Sequence, residues 1–201
     1  MIAIVDYEMG NLGSVAQALA WLGAPAVVSS EPEIIRQADA VILPGVGAME
    51  YAMERLCSTG MDQAVKEAVE SGRPFLGICL GMQLMFEASE EGDARGLGIL
   101  AGKVRKFASA PGLKIPHMGW NSLDYVADTH LLQGAYYYFV HSYYCDPADK
   151  NQIAAVSNHG QDFAASIRCD NVLLTQFHPE KSGTAGLRLL KSWIDLEVSG
   201  K

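Results

Sequence analysis

The 201-residue sequence predicts a doubly wound α/β fold: a mostly parallel central sheet carrying an antiparallel extension. In the first half, short runs that are apolar throughout recur, each followed by a helical pattern. Strands of that kind are buried on both faces, as in parallel sheets covered by helices. In the second half the apolar runs are joined by turns rather than helices, which suits antiparallel pairing. Short connections and right-handed crossovers leave the doubly wound sheet as the leading architecture.

The elements follow in order. Residues 2–5 form an apolar run ending at Asp6, then a helical stretch spans 12–22 and stops at Gly23 and Pro25. A second strand at 26–29 and a short helix at 31–37 precede a third strand at 40–43, closed by Pro44 and Gly45. Helices are expected at 48–56 and 62–70, a fourth strand at 74–78, and a helix from Cys79 through Glu87. Later strands are expected at 104–107, 136–144, 153–157, 163–168 and 172–177, with Asp170-Asn171 as a tight hairpin turn, and a final helix at 182–196.

Hydrophobic residues make up 49% and charged residues 19%, the balance of a packed chain. No Gly-, Ser- or Pro-rich linker divides it, so residues 1–201 read as one domain. A net charge of −8 without any Lys/Arg run argues against nucleic acid as a partner. Cys57, Cys79, Cys145 and Cys169 form no C-x-x-C pair, so neither a metal ribbon nor a redox pair is expected. The start, MIAIVDYEMG, is acidic where a signal peptide is basic, and no run approaches the roughly 20 apolar residues of a membrane span. The expectation is a cytosolic protein with reduced thiols.

Phe75-Leu76-Gly77-Ile78-Cys79-Leu80-Gly81 carries the strongest chemical signal. An apolar strand runs into Gly-x-Cys-x-Gly and then a helical pattern, the cysteine counterpart of a nucleophile elbow. A sharp strand-to-helix turn projects the side chain from the sheet end, and small flanking residues avoid collisions. A helix N-terminus favours thiolate over thiol, but a histidine partner usually completes the activation. The pattern alone also fits a buried cysteine between packing glycines.

That partner is expected at His178-Pro179-Glu180, after the strand ending at Phe177. Proline stiffens the tripeptide, and in an extended segment residues two apart share a side. Glu180 can therefore orient one imidazole nitrogen while the other faces Cys79. Oxyanion donors are expected at the N–H of Leu80 and in the loop Pro44-Gly45-Val46-Gly47, where Val46 lies past the third strand. The loop lacks the Lys-Ser/Thr ending of a P-loop, and a plain tight turn is the other reading.

Several segments extend these signals: IAIVDYEMGNLGSV, PGVGAM, GICLGMQLMF, SEEGDARGLGIL, PHMGWN, YYFVHSYY and QFHPEKSG. The chain resembles the class I, or triad, glutamine amidotransferases of flavodoxin-like fold, and within them the glutaminase subunits of imidazole glycerol phosphate synthase. The elbow and HPE select only the broad class; PHMGWN, FVHSYY and the N-terminal segment are more specific. The resemblance implies that Cys79, His178 and Glu180 form a triad that frees ammonia from glutamine, with no cofactor and no metal. It implies that Gly45, Gly47, Gln83, His141, Ser142 and Tyr143 hold the substrate. It implies as partner a (β/α)8-barrel cyclase that receives the ammonia, facing Asn11, Trp120, Tyr138 and Lys181. From the residues alone, Trp120 suits an interface and a core equally. Met49 departs from the family, which often has Phe after PGVGA. Competing readings are a glutaminase serving another synthase, a catalytically silent regulatory module, and a cysteine peptidase with a similar elbow.

Overall fold

The computed structural model describes residues 1–92, 94–128 and 130–200; Asp93 of the SEEGDARGLGIL stretch, Thr129 and Lys201 lie outside the described residues. In chain order the first half holds β1 (Ile2–Val5), α1 (Leu12–Trp21), β2 (Ala26–Ser29), α2 (Pro32–Gln37), β3 (Ala40–Gly45), α3 (Met49–Thr59), α4 (Met61–Glu70), β4 (Phe75–Cys79) and α5 (Leu80–Gln83). The strands β5 (Phe86–Ser89), β6 (Leu100–Lys106), β7 (His117–Ser122), β8 (Tyr125–Val126), β9 (Tyr136–His141) and β10 (Tyr143–Pro147) follow. The chain continues through β11 (Ile153–Asn158), β12 (Asp162–Cys169), β13 (Val172–Thr175), a 3-10 turn at Pro179–Lys181 and α6 (Gly183–Trp193).

An eight-stranded sheet runs β2-β1-β3-β4-β13-β12-β11-β8. Its first five strands are parallel and its last three antiparallel, as expected for an extended doubly wound sheet. Alternation within each strand divides the core in two. Ala3, Val5, Val41 and Leu43 pack on one face with Ile35, Leu56 and Val65 of α2, α3 and α4. Ile2, Ile4, Ile42 and Leu76 pack on the other with Val15 and Leu19 of α1 and Leu189, Leu190 and Trp193 of α6. A strand that feeds both layers has no polar positions, hence its unbroken apolar run.

Three expectations are corrected. The helix after Cys79 stops at Gln83, and Phe86–Ser89 is a strand beside β6. Leu84, Met85 and Phe86 are all fully buried, so the segment has no polar face for a surface helix, and the Met85 carbonyl instead accepts from Ile99 and Leu100. The single strand expected at 136–144 breaks at Ser142 into β9 and β10, which serve different sheets: β9 pairs with β7, and β10 with β6. Strand β7 had no counterpart in the sequence reading; Gly119 and Pro116 mask its pattern. The last helix ends as a π-turn over Ile194–Val198. The hairpin at Asp170 is as expected, with Cys169 opposite Val172 and Asp170 at φ 48°, a left-handed conformation that Asp tolerates.

The elbow depends on close packing. A Cβ on Gly81 would run into the Leu43 carbonyl oxygen, and one on Gly77 would lie 2.6 Å from Leu174 Cδ2. By contrast, Gly13 in α1 has open space around it. Gly81→Ala is therefore expected to lower stability by about 1–3 kcal/mol through overpacking, whereas Gly13→Ala raises it by at most about 1 kcal/mol through helix propensity. Urea midpoints of the two variants check both signs.

Candidate active site

The C-terminal ends of β3, β4 and β13 lie side by side, with Gly45 opposite Cys79 and Thr175 opposite Ile78. Open α/β sheets place their ligand crevice at such strand ends. Cys79 closes β4 at φ 54° and ψ −108°, outside the regions an L-residue normally occupies, a conformation costing about 1–3 kcal/mol. The residue is 5% exposed. Its sulfur faces the Val140 carbonyl at 4.0 Å and receives the side-chain amide of Gln176 at 3.7 Å.

His178 follows β13 in extended conformation, but Pro179–Lys181 is a 3-10 turn rather than an extended continuation. The turn brings Glu180 back beneath the ring, where its Oε1 accepts from His178 Nδ1 at 2.8 Å. That commits Nδ1 as the donor and leaves Nε2 for Cys79. Both side chains are 1% exposed. Backbone contacts clamp the turn: His178 N–H donates to the Tyr138 carbonyl at 2.9 Å, and Ser182 Oγ donates to the His178 carbonyl at 2.6 Å. Nε2 is buried with no completed hydrogen bond in this structure. Burial pulls the imidazole down, but its interactions with Cys79 and then Glu180 outweigh burial and carry it up to about 10. These interactions thus favour the protonated imidazole.

Asn11, expected at a partner surface, also contacts Glu180. Its Oδ1 accepts from Ser14 at 2.8 Å, which turns its Nδ2 onto Glu180 Oε1 at 3.2 Å. Trp120 and Tyr138 form an edge-to-face pair with ring centroids 6.1 Å apart on the β7–β9 ribbon, and Trp120 is 55% exposed. Lys181 is exposed at the end of the Pro179–Lys181 turn. Trp120 is thus a surface side chain and not a core one.

A cavity of about 300 Å³ opens over Cys79, with Val46, Gly47, Leu80, Gln83, His141, Ser142 and Tyr143 in its wall. A larger hollow, about 740 Å³, lies at the other end of the sheet around Met1, Arg36 and Arg73, and no cysteine lines it. Gly45 sits below the wall, in β3, where the Tyr7 hydroxyl donates to the neighbouring Pro44 carbonyl at 2.9 Å and ties down the start of the loop. Leu80 opens α5, so its N–H has no intrahelical acceptor. Gln83 Nε2 donates to the Tyr143 carbonyl and to Gln176 Oε1, each at 3.1 Å. Among the described residues its Oε1 has no bonded partner, leaving an acceptor for a ligand. Sequence reasoning missed Glu91, whose carboxylate lines the cavity while accepting from Met49 N–H at 2.8 Å. It also missed Gln176, which shares the short segment of His178.

His141 offers a ligand no free nitrogen. Its Nδ1 donates to the Tyr143 carbonyl at 2.7 Å, so its Nε2 must accept from His117 Nδ1 at 3.0 Å. His117 Nε2 accepts in turn from Asn121 Nδ2 at 3.2 Å, and that amide is oriented by donating to the Asn158 carbonyl while Ser122 N–H occupies its Oδ1. Every hydrogen in this chain is assigned, and it holds only when both imidazoles are neutral. Burial pushes His141 down to about 3 and His117 down to about 4, the latter aided by His159. Because the unfolded chain binds these protons near pH 6.5, the stability they contribute is present above that pH and lost as pH falls toward 4. Unfolding free energy is expected to drop by about 2 kcal/mol or more between pH 6.5 and 4.5, and His117→Gln to flatten the slope in urea titrations at each pH.

Residues 3–195 match the model of the glutamine amidotransferase class-I family. The chain is 49% identical over 201 residues to the imidazole glycerol phosphate synthase subunit HisH of Gloeothece citriformis, covering 97% of this chain and 95% of that protein. It is 50% identical to the same-named subunit of Thermosynechococcus vestitus, covering 97% and 96%. Among solved structures, a glutamine amidotransferase superposes with TM-score 0.77 at 22% identity, covering 98% of this chain and 99% of that one. The PurLQS structure from Thermotoga maritima superposes with TM-score 0.72 at 17% identity, covering 97% of both chains. These distant structures share the fold; the family match and the relatives near 50% identity place this chain among the class-I glutamine amidotransferases, the family to which it belongs.

Proposed function

We propose that residues 1–201 act as one domain, the glutaminase subunit of an imidazole glycerol phosphate synthase in histidine biosynthesis, using Cys79, His178 and Glu180 as its triad. The observation that carries this reading is the strained Cys79 interacting with the His178 imidazole, whose Nδ1 Glu180 holds.

The Cys79 thiolate attacks the side-chain amide carbon of glutamine. Negative charge moves to the carbonyl oxygen, for which the N–H groups of Leu80 and Val46, two residues of the cavity wall, are the proposed donors. Collapse of the tetrahedral adduct expels the amide nitrogen, and His178 supplies the proton that makes it ammonia. The glutamyl thioester is then hydrolysed by water, with His178 taking the water's proton. Glutamate leaves and the thiolate returns. Gln83 Oε1 and the Glu91 carboxylate are acceptors suited to the substrate's α-ammonium, while Gly47, Ser142 and Tyr143 shape the wall. Gly45 and His141 contribute by positioning that wall.

Released ammonia is useful as a nucleophile only before water protonates it, which favours delivery to a partner. The relatives are named as synthase subunits. The partner proposed here is a (β/α)8-barrel cyclase forming a heterodimer across Trp120, Tyr138 and Lys181, with Asn11 linking that side to Glu180. Tyr138 is a natural link, since its carbonyl holds the His178 N–H. Among the described residues no helix is long and apolar enough to cross a membrane; the cytosol is the proposed site of action.

Cys79→Ala is expected to lower ammonia release by about a thousandfold or more without lowering the thermal midpoint, and retained turnover refutes the assignment. In the wild type, release is expected to rise when the cyclase and its nucleotide ligand are added. Trp120→Ala is expected to weaken cyclase binding at least about tenfold, measured by titration calorimetry.

A further inference from the structure

We propose that Gln176 is a further catalytic residue, whose side-chain amide donates a hydrogen bond to the Cys79 sulfur and holds the nucleophile as thiolate. This rests on the reading of Cys79 as the nucleophile. Gln176 is fully buried just past β13, with its own backbone N–H taken by the Ala165 carbonyl at 2.9 Å. Its side chain touches two polar groups: Gln83 at 3.1 Å and the sulfur at 3.7 Å.

The orientation of the amide follows from its neighbours. The Tyr143 carbonyl can only accept, so the Gln83 atom 3.1 Å from it is the nitrogen. That nitrogen donates its second hydrogen to Gln176, so the Gln176 atom facing it is the oxygen. The remaining Gln176 atom, which faces sulfur, is therefore the NH2 group. His141 Nδ1 also donates to the Tyr143 carbonyl, which anchors the relay to β10. A flipped amide would set two donors against each other at one end and a carbonyl oxygen against thiolate at the other.

A donor aimed at sulfur binds the anion more strongly than the neutral thiol or thioester. It thus favours the attacking form before acylation and the departing thiolate during thioester hydrolysis, without adding a covalent step. Burying an amide is costly, and an apolar residue would fill the space more cheaply. The other titratable groups acting on the sulfur are His178 after β13, Tyr7 after β1 and Cys145 on β10, with Glu180 and His141 acting on His178. Among these His178 is the cation, so Gln176 supplies a neutral donor beside it.

The test uses the full chain as wild type, Gln176→Met and the isosteric Gln176→Glu. Cys79 alkylation by iodoacetamide is followed against pH by peptide mass spectrometry, alongside kcat and KM for glutamine. Gln176→Met is expected to move the alkylation midpoint about one unit upward and to slow alkylation near neutral pH roughly tenfold. Gln176→Glu moves it further, since a carboxylate oxygen then faces the sulfur. In both, kcat falls and KM changes less than about threefold. Unchanged Cys79 profiles in the folded variants overturn the proposal, as does an activity loss that follows the unfolded fraction alone. If Gln176→Met does not fold, Gln176→Glu decides; if neither folds, Gln83→Met, which lets the Gln176 amide rotate, must shift the midpoint or the proposal falls. Failure of the nucleophile reading looks different: Cys79→Ala then retains turnover in an otherwise wild-type chain.

Discussion

The register of β4 between β3 and β13 is the constraint on which the site depends. Gly45 lies opposite Cys79 on one side, and Thr175 lies opposite Ile78 on the other. Parallel pairing aligns strand ends from three distant parts of the chain, so the loop after β3, Cys79 and the segment leading to His178 emerge at one edge. A slip of one residue would turn Cys79 to the other face of the sheet and separate it from His178. The core on both faces makes that slip expensive, because it would also exchange Leu76 and Ile78 with Phe75 and Gly77 between the two layers.

Hydrogen bonds with assigned donors then orient what the sheet has gathered. One set runs from Ser14 through Asn11 to Glu180 and His178. A second runs from Asn121 through His117 and His141 to the Tyr143 carbonyl, and a third from that carbonyl through Gln83 and Gln176 to the sulfur. In the latter two the named donors and acceptors are paired except Gln83 Oε1, the acceptor left for a ligand, and such pairing makes a low-dielectric network rigid. The exposed Trp120 lies on β7 beside Asn121, so the proposed docking surface and the Cys79 sulfur are ends of one connected structure.

Much of this was legible in the residues. The unbroken apolar runs gave β1, β3 and β4, and Gly-x-Cys-x-Gly announced a turn too sharp for larger neighbours, borne out by Gly77 and Gly81. The parallel and antiparallel halves were distinguishable because, after the helical pattern read through Glu87, apolar runs joined by turns take over until the last helix. What stayed hidden was contact between positions far apart in sequence. Asn11 and Glu180 are separated by 169 positions, and His117 and His141 by 24, with no periodicity to relate them. Leu84-Met85-Phe86 was ambiguous, since a short apolar run fits a buried helix or strand equally. Gln176 fell within the strand expected at 172–177 with no role assigned, and only the folded chain places its amide against sulfur.

The central claim is that one of four thiols carries the glutamyl group. Acid quenching of the protein during glutamine turnover, followed by peptide mass spectrometry, tests it directly. The account predicts a glutamyl adduct on Cys79 and none on Cys57, Cys145 or Cys169. Steady ammonia release with an adduct on another cysteine, or with none detectable on Cys79 under conditions where hydrolysis is rate-limiting, would contradict it.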